Sequence, residues 1–245
     1  MSEYIIGRNA CLELLNSGRT VDKIYIQKGE QKGSILKIIG KAKSLGIHVQ
    51  EIDRRRLEEI TNSTNHQGIC ALVSDFIYSS IEEILAYSEE KGEPPFLVFL
   101  DGIEDPHNLG AIIRTAEVAG VHGVIIPNRR SASINATVEK TSAGATSYMK
   151  VCQVTNLSRA IEEVKKKNIF VYGADGDALS LHTQTNLTGP IALVIGNEGK
   201  GISQNIKKHC DELIKIPMFG NVSSLNASNA AAILIYEIIR QRNLS

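Results

Sequence analysis

From residue 96 onward, short unbroken apolar runs alternate with segments of helical spacing. The runs are FLVFL (96–100), GVII (123–126), IFVYGA (169–174), IALVIG (191–196) and ELIKIP (212–217). A strand that is apolar on both faces must be covered on both faces. That is the situation of a parallel sheet flanked by helices. Helices are predicted over 108–119, 157–167, 203–209 and 226–240. The expected fold class is α/β, with a doubly wound parallel sheet over residues 96–245.

The first 73 residues predict a second, smaller α/β unit. Helix is expected at 10–15, a strand ending in a turn at 22–29, and a strand at 47–52. Residues 34–45 have helical spacing, with Ile35, Ile38, Ile39 and Ala42 on one face. A short helix at 54–60 and a strand at 68–73 complete the unit. Between the two lies an acidic stretch, 74–95, ending in Gly92, Pro94 and Pro95. The stretch is expected to be partly helical, and because prolines cannot continue a helix it reads as an inter-domain linker.

Charge narrows the function. The 245 residues carry 27 basic and 27 acidic side chains, but unevenly. Residues 1–72 hold 11 Lys and Arg against 8 Asp and Glu, residues 73–95 hold 1 against 6, and residues 96–245 hold 15 against 13. Any nucleic-acid surface must therefore be a local patch. Arg54, Arg55, Arg56, Lys37, Lys41 and Lys43 are its candidates in the first unit, although they also suit an ordinary solvated helix face. Cys11, Cys70, Cys152 and Cys210 are scattered with no CxxC pair, and no HExxH occurs. A zinc ribbon and a disulfide scaffold are excluded on that spacing, and no metal is expected. No apolar run approaches the ~18 residues of a membrane helix. The opening MSEYIIGRNA lacks a basic-then-apolar signal, so a cytoplasmic location is expected.

Ligands of open parallel sheets bind beyond the carboxyl ends of the strands. The segments following the five runs are DGIEDPHNLG (101–110), PNRRSASIN (127–135), DGDALS (175–180), NEGKGIS (197–203) and MFGNVSSLNASNA (218–230). All are rich in small and polar residues. No GxGxxG follows the first strand, GNEGKGIS lacks the spacing of a phosphate loop, and no GxSxG occurs. Dinucleotide binding, nucleotide hydrolysis and hydrolase chemistry are set aside.

Three ordered segments carry a resemblance. NLGAIIRTAEVAGVHGVII (108–126), IALVIGNEGKGIS (191–203) and IPMFGNVSSLNASNAAAILIYE (216–237) resemble the motifs of the SpoU/TrmH ribose 2′-O-methyltransferases, of the SPOUT class. The resemblance covers residues 96–245, and the small first unit extends it across the chain. It implies a deep trefoil knot that binds S-adenosylmethionine, an L30e/L7Ae-like RNA-binding unit over 1–73, and a homodimer with the active site near the subunit interface. The implied partner is RNA, not DNA or a membrane. The implied substrate is a guanosine of bacterial 23S ribosomal RNA, with transfer RNA or an RNA-binding assembly role as alternatives.

The same resemblance assigns residues. Asn108, Arg114, Glu198, Ser224 and Asn226 align with catalytic positions, and Gly196, Ile216 and Leu225 with cofactor contacts. Each has a plainer reading in isolation. Asn108 suits a helix N-cap and Arg114 an exposed helix position. Glu198 suits a solvated turn, and Ser224 and Asn226 the cap of the closing helix.

Overall fold

The computed structural model describes residues 3–17, 21–29, 32–73 and 76–244. Residues 74 and 75, the start of the expected linker, lie outside the described residues. So do 1–2, 18–20 and 30–31 of the expected first unit, and 245 of the second. The chain divides into two compact units, 1–77 and 78–245.

Among the described residues the first unit has a four-stranded sheet. It is built from β1 (Glu3–Ile6), β2 (Val21–Gln27), β3 (His48–Ile52) and β4 (Ile69–Val73), in the order β1-β4-β2-β3. β4 runs antiparallel to both β1 and β2, and β3 pairs parallel with β2. Helices α1 (Arg8–Ser17), α2 (Ser34–Ser44) and α3 (Arg54–Thr61) connect the strands. Ile35, Ile38 and Ala42 of α2 are buried with Cys11, Leu14 and Leu15 of α1 against Ile24, Ile26, Ile69 and Ala71 of the sheet. The spacing of the isoleucines is what puts α2 on this core. Strand β1 was not expected from the sequence. It lies at the edge of the sheet and its four residues are only exposed or half-buried.

The second unit begins where a linker was expected. Residues 81–91 form a complete helix, α4 (Ile81–Lys91). Ser80 and Glu83 make a reciprocal capping box at its start, and Gly92 closes it in the left-handed region. Ile81 and Ile84 are buried in the core of this unit. The acidic composition has a local cause: Glu82 and Glu83 occupy the first turn, favourable at a helix N-terminus, while Glu89 and Glu90 are exposed. The linker reading of 74–95 is corrected accordingly for residues 81–91.

Seven parallel strands follow, among the described residues. They are β5 (Phe96–Asp101), β6 (Gly123–Pro127), β7 (Val151–Val154), β8 (Phe170–Ala174), β9 (Ser180–Leu181), β10 (Ile191–Gly196) and β11 (Glu212–Lys215). Their order is β7-β6-β5-β10-β8-β11-β9, parallel at each pairing. The five expected runs occupy the middle and the two short unexpected strands, β7 and β9, the edges. β5 and β10 are buried at every position but the last. Leu97, Phe99, Ala192 and Val194 face α4, α7 (Leu157–Lys165) and α8 (Gln204–Lys207). The opposite side is covered by α5 (Pro106–Val118) and α9 (Ala227–Leu244), which pack on each other and on the sheet. A six-residue helix, α6 (Ala136–Thr141), packs against α5.

Cys11, Cys70 and Cys152 are free and buried, and burial pushes each thiol up to about 12. They are inert packing residues at neutral pH. Among the described residues no group of three or more His, Cys, Asp or Glu is placed to hold a metal. No helix there is long and apolar enough to cross a membrane.

Candidate functional site

The carboxyl ends of the central strands converge on one cavity of about 350 Å³, within the ~300–1,000 Å³ usual for small-molecule sites. It is lined by Ala174 to Asp177 after β8, by Ile195 to Gly201 around the end of β10, by Ile214, Ile216 and Met218 along and beyond β11, and by Ser223 to Leu225 before α9. Its floor is largely apolar, from Ile195, Ile214, Ile216 and Leu234.

Gly196 shapes this cavity by what it lacks. A Cβ on Gly196 would collide with backbone atoms of Gly201 and Ile202, so the strand end and the returning loop can approach only without a side chain. The loop is then tied down. Asn197 and Gly201 exchange backbone hydrogen bonds of 3.2 and 2.8 Å. Asn197 Nδ2 donates to Gly102 O at 3.0 Å, and Ser203 N donates to Asp101 Oδ2 at 2.7 Å. Glu198 is thereby held on the cavity wall by backbone it does not control.

A polar chain meets Glu198 there. Asn108 Nδ2 donates to Glu198 Oε1. Asn108 Oδ1 accepts from Asn226 Nδ2 at 3.0 Å. Asn226 Oδ1 in turn accepts from Ser228 N and Oγ, at 2.9 and 2.6 Å. Each amide is used at both ends, which fixes the direction of the relay from Ser228 to the carboxylate. These residues lie 90 and 118 positions apart in pairs along the chain.

The plainer readings resolve differently. Asn108 is not the cap of α5. Asp105 is, accepting from His107 N at 2.9 Å with Pro106 at the first helical position. Asn108 sits one turn in, buried, with its amide free for the relay. Asn226 does both jobs, capping the start of α9 with its oxygen and donating to Asn108 with its nitrogen. Ser224, Leu225, Ile216 and Gly196 all line the cavity.

Arg114 is not brought into this group. It is exposed, does not line the cavity, and makes no hydrogen bond or ion pair among the described residues. Six residues past Asn108 on α5, it lies about 120° around the helix at 3.6 residues per turn. A pair the sequence did not single out does enter the site: Asp175 and Lys207 face each other in the cavity wall as an ion pair.

The wider likenesses agree with this architecture. Residues 95–236 match the SpoU rRNA Methylase family, and residues 4–79 match the family described as RNA 2'-O ribose methyltransferase substrate binding. YacO of Bacillus subtilis, designated a TrmH family tRNA/rRNA methyltransferase, is 44% identical over 241 residues, covering 98% of this chain and 96% of its own. The TrmH/SpoU tRNA modifying enzyme of A. aeolicus is 31% identical with a TM-score of 0.57, over 66% of this chain and 84% of that one. The SpoU methyltransferase AviRb of Streptomyces viridochromogenes, solved with AdoMet, shares the fold at 23% identity, with a TM-score of 0.64 over 100% of this chain and 92% of that one. The chain belongs to the SpoU/TrmH family of RNA methyltransferases.

Proposed function

We propose that this protein transfers a methyl group from S-adenosylmethionine to the ribose 2′-hydroxyl of a guanosine in bacterial 23S ribosomal RNA, in the cytoplasm. The observation that carries the chemistry is the relay of Asn226, Asn108 and Glu198 at the rim of a cavity whose wall admits no side chain at Gly196. Such a close backbone approach suits a ligand gripped by main-chain groups, and the apolar floor suits an adenine ring. When bound, the cofactor supplies an electrophilic methyl on a sulfonium.

The chain's own residues supply the rest. Gly196, Ile216 and Leu225 hold the nucleoside by backbone and apolar contact. Glu198 is the fixed end of the relay, and it keeps the Asn108 amide in one orientation facing the acceptor ribose. Ser224 lies exposed at the cavity mouth, where an RNA strand enters. Arg114, a permanent cation with a planar fork, binds the phosphate beside the target ribose and stabilises the developing alkoxide as the hydroxyl proton leaves to water. Holding acceptor and donor in line can contribute roughly 7–11 kcal/mol in well-oriented cases.

Arg114 projects away from the Asn108 relay of its own chain, and we assign its action to a homodimer in which the site lies near the subunit interface. Half-exposed Ile233 and Tyr236 on α9, and exposed Val118 on α5, are apolar surface that a second copy would cover. The trefoil knot belongs to the same reading: the 196–201 and 216–225 segments that line one cavity would be the knotted crossings. Residues 1–73 select the RNA as the L30e-like unit.

Nucleoside mass spectrometry of fractionated RNA, with and without the gene, tests the substrate. Loss of 2′-O-methylguanosine from 23S ribosomal RNA is expected. Loss confined to transfer RNA would move the substrate, and unchanged methylation with defective subunit assembly would favour a binding role.

A further inference from the structure

The cavity contains an ion pair for which the relay has no use. Asp175 follows β8 directly, at the carboxyl end of a parallel strand, and Lys207 ends α8. The two side chains are 10% and 20% exposed, and both line the cavity. Asp175 is rigidly placed. Its N–H donates to Ile214 O at 2.9 Å, its Oδ1 accepts from Asp177 N at 3.0 Å, and its Oδ2 takes the ion pair with Lys207. Burial alone would push its carboxyl up, but the hydrogen bond and charge of Lys207 and the N–H of Asp177 outweigh burial and hold it below the ordinary carboxylate value.

Pairs withdrawn from water gain little net stability over apolar replacements. A pair set in a cavity wall is therefore better explained by what it meets there. An ionised carboxylate offers about four lone-pair positions, and two are used here. Lys207 cancels the charge of Asp175, so the remaining positions suit neutral donors rather than a cation. The strand order adds a direction. β10 lies between β5 and β8, so Asp175 sits one strand farther from Asn108 than Glu198 does, and next to the β11 end that carries Ile216. The reacting end of a ligand belongs at Glu198 and its nucleoside end at Asp175. Acidic side chains at strand ends of parallel sheets bind ribose hydroxyls in unrelated folds by the same logic.

We propose that Asp175 accepts hydrogen bonds from the vicinal ribose hydroxyls of the cofactor nucleoside, with Lys207 holding it aimed. The proposal rests on the cavity being the S-adenosylmethionine site. Calorimetric titration of the full chain with S-adenosylhomocysteine and with its 2′-deoxy and 3′-deoxy analogues separates the two ideas. The intact protein should bind at least one deoxy analogue about 10- to 100-fold more weakly, as fits a hydrogen bond to a charged group. Asp175→Asn should weaken S-adenosylhomocysteine by a similar factor and abolish the discrimination, while Lys207→Arg should retain it. If the intact protein binds all three ligands equally, or if Asp175→Asn weakens all three by one common factor, Asp175 is a structural residue and the proposal fails alone. If S-adenosylhomocysteine does not bind the intact protein, the cofactor reading fails and takes the proposal with it. The comparison of analogues on unmutated protein stands even if a variant does not fold.

Discussion

Replacing Gly196 by alanine asks whether the cavity depends on one missing methyl group. The added Cβ would lie far inside contact distance of Gly201 C, Gly201 O and Ile202 N. These are backbone atoms, so no side chain can swing aside. The returning loop is also tethered, by the exchange between Asn197 and Gly201, by Asn197 to Gly102, and by Ser203 to Asp101. Ile202 is 2% exposed and packs in the core. Overpacking costs ~1–3 kcal/mol, and each tether lost adds ~1 kcal/mol. We expect Gly196→Ala to destabilise the second unit by about 2–4 kcal/mol on those terms, read by calorimetric unfolding. Affinity for S-adenosylhomocysteine should fall more than tenfold, because Gly196 to Gly201 all line the cavity. Gly176→Ala is the internal control: Gly176 lines the same cavity, yet a Cβ there meets nothing within 4 Å. It should stay within ~0.5 kcal/mol of the parent, as ordinary surface changes do. Equal stability and equal affinity for Gly196→Ala and the parent would refute the close-approach account.

Two further outcomes follow from particular side chains. Arg114→Lys should lower single-turnover methylation of saturating RNA by about 10²–10³, the usual cost of losing an oriented electrostatic donor, with cofactor affinity unchanged; a rate within about threefold of the parent, well short of that loss, would make Arg114 an ordinary exposed residue. Glu237 on α9 is hydrogen-bonded to Arg240 and Gln241, which hold its carboxyl down at about 2. Because the folded value lies below the ordinary glutamate value of 4.5, its stabilisation is complete above about 4.5 and is lost as pH falls towards about 2. Glu237→Gln should flatten that acid limb of a stability–pH curve, at a cost of about 1 kcal/mol at neutral pH; an unchanged acid limb would exclude Glu237 as its source.

How legible each part was depends on whether its cause is local. Central strands such as β5 and β10 are buried on both faces, so burial writes an unbroken apolar run into the sequence. The edge strands β7 and β9 have four and two residues, too few to carry a pattern. Helix was expected within the acidic stretch, but α4 was assigned to a linker because its glutamates and the prolines after it dominate the composition, while its core anchors, Ile81 and Ile84, are only two residues. The true start of α5 was legible: Asp105 followed by Pro106 is a cap signal, and Asn108 was a weaker choice. The relay was legible from strand spacing only to the level of the segments 101–110, 197–203 and 218–230, not of its residues. Asn108, Glu198 and Asn226 meet only because β5, β10 and β11 deliver their following segments to one end of the sheet, and only resemblance named them beforehand. Asp175 opens DGDALS, one of the segments the strand-end pattern marked, but Lys207, 32 residues on, was marked by neither resemblance nor pattern.

On the proposed reading, which adds Arg114 to the relay, the site is finished on one side and open on the other, and this asymmetry has a physical logic. Every polar atom of the Asn226 and Asn108 amides that the relay uses has a partner within the chain. That half is preorganised, so under the proposed function it would not have to reorganise when the acceptor arrives, which is the condition under which fixed dipoles are worth most. Arg114 is the opposite case, a cation left in water without a partner among the described residues. Leaving it solvated carries no desolvation cost. A fixed intramolecular carboxylate would have had to be broken before a phosphate could take its place, and the phosphate would then gain that much less. In the proposed mechanism the groups assigned to the reacting ribose are therefore satisfied in advance, and Arg114, assigned to the RNA phosphate, is satisfied only by the substrate. In such an arrangement the arginine contributes when RNA is bound and not before, and cofactor binding can proceed independently of it.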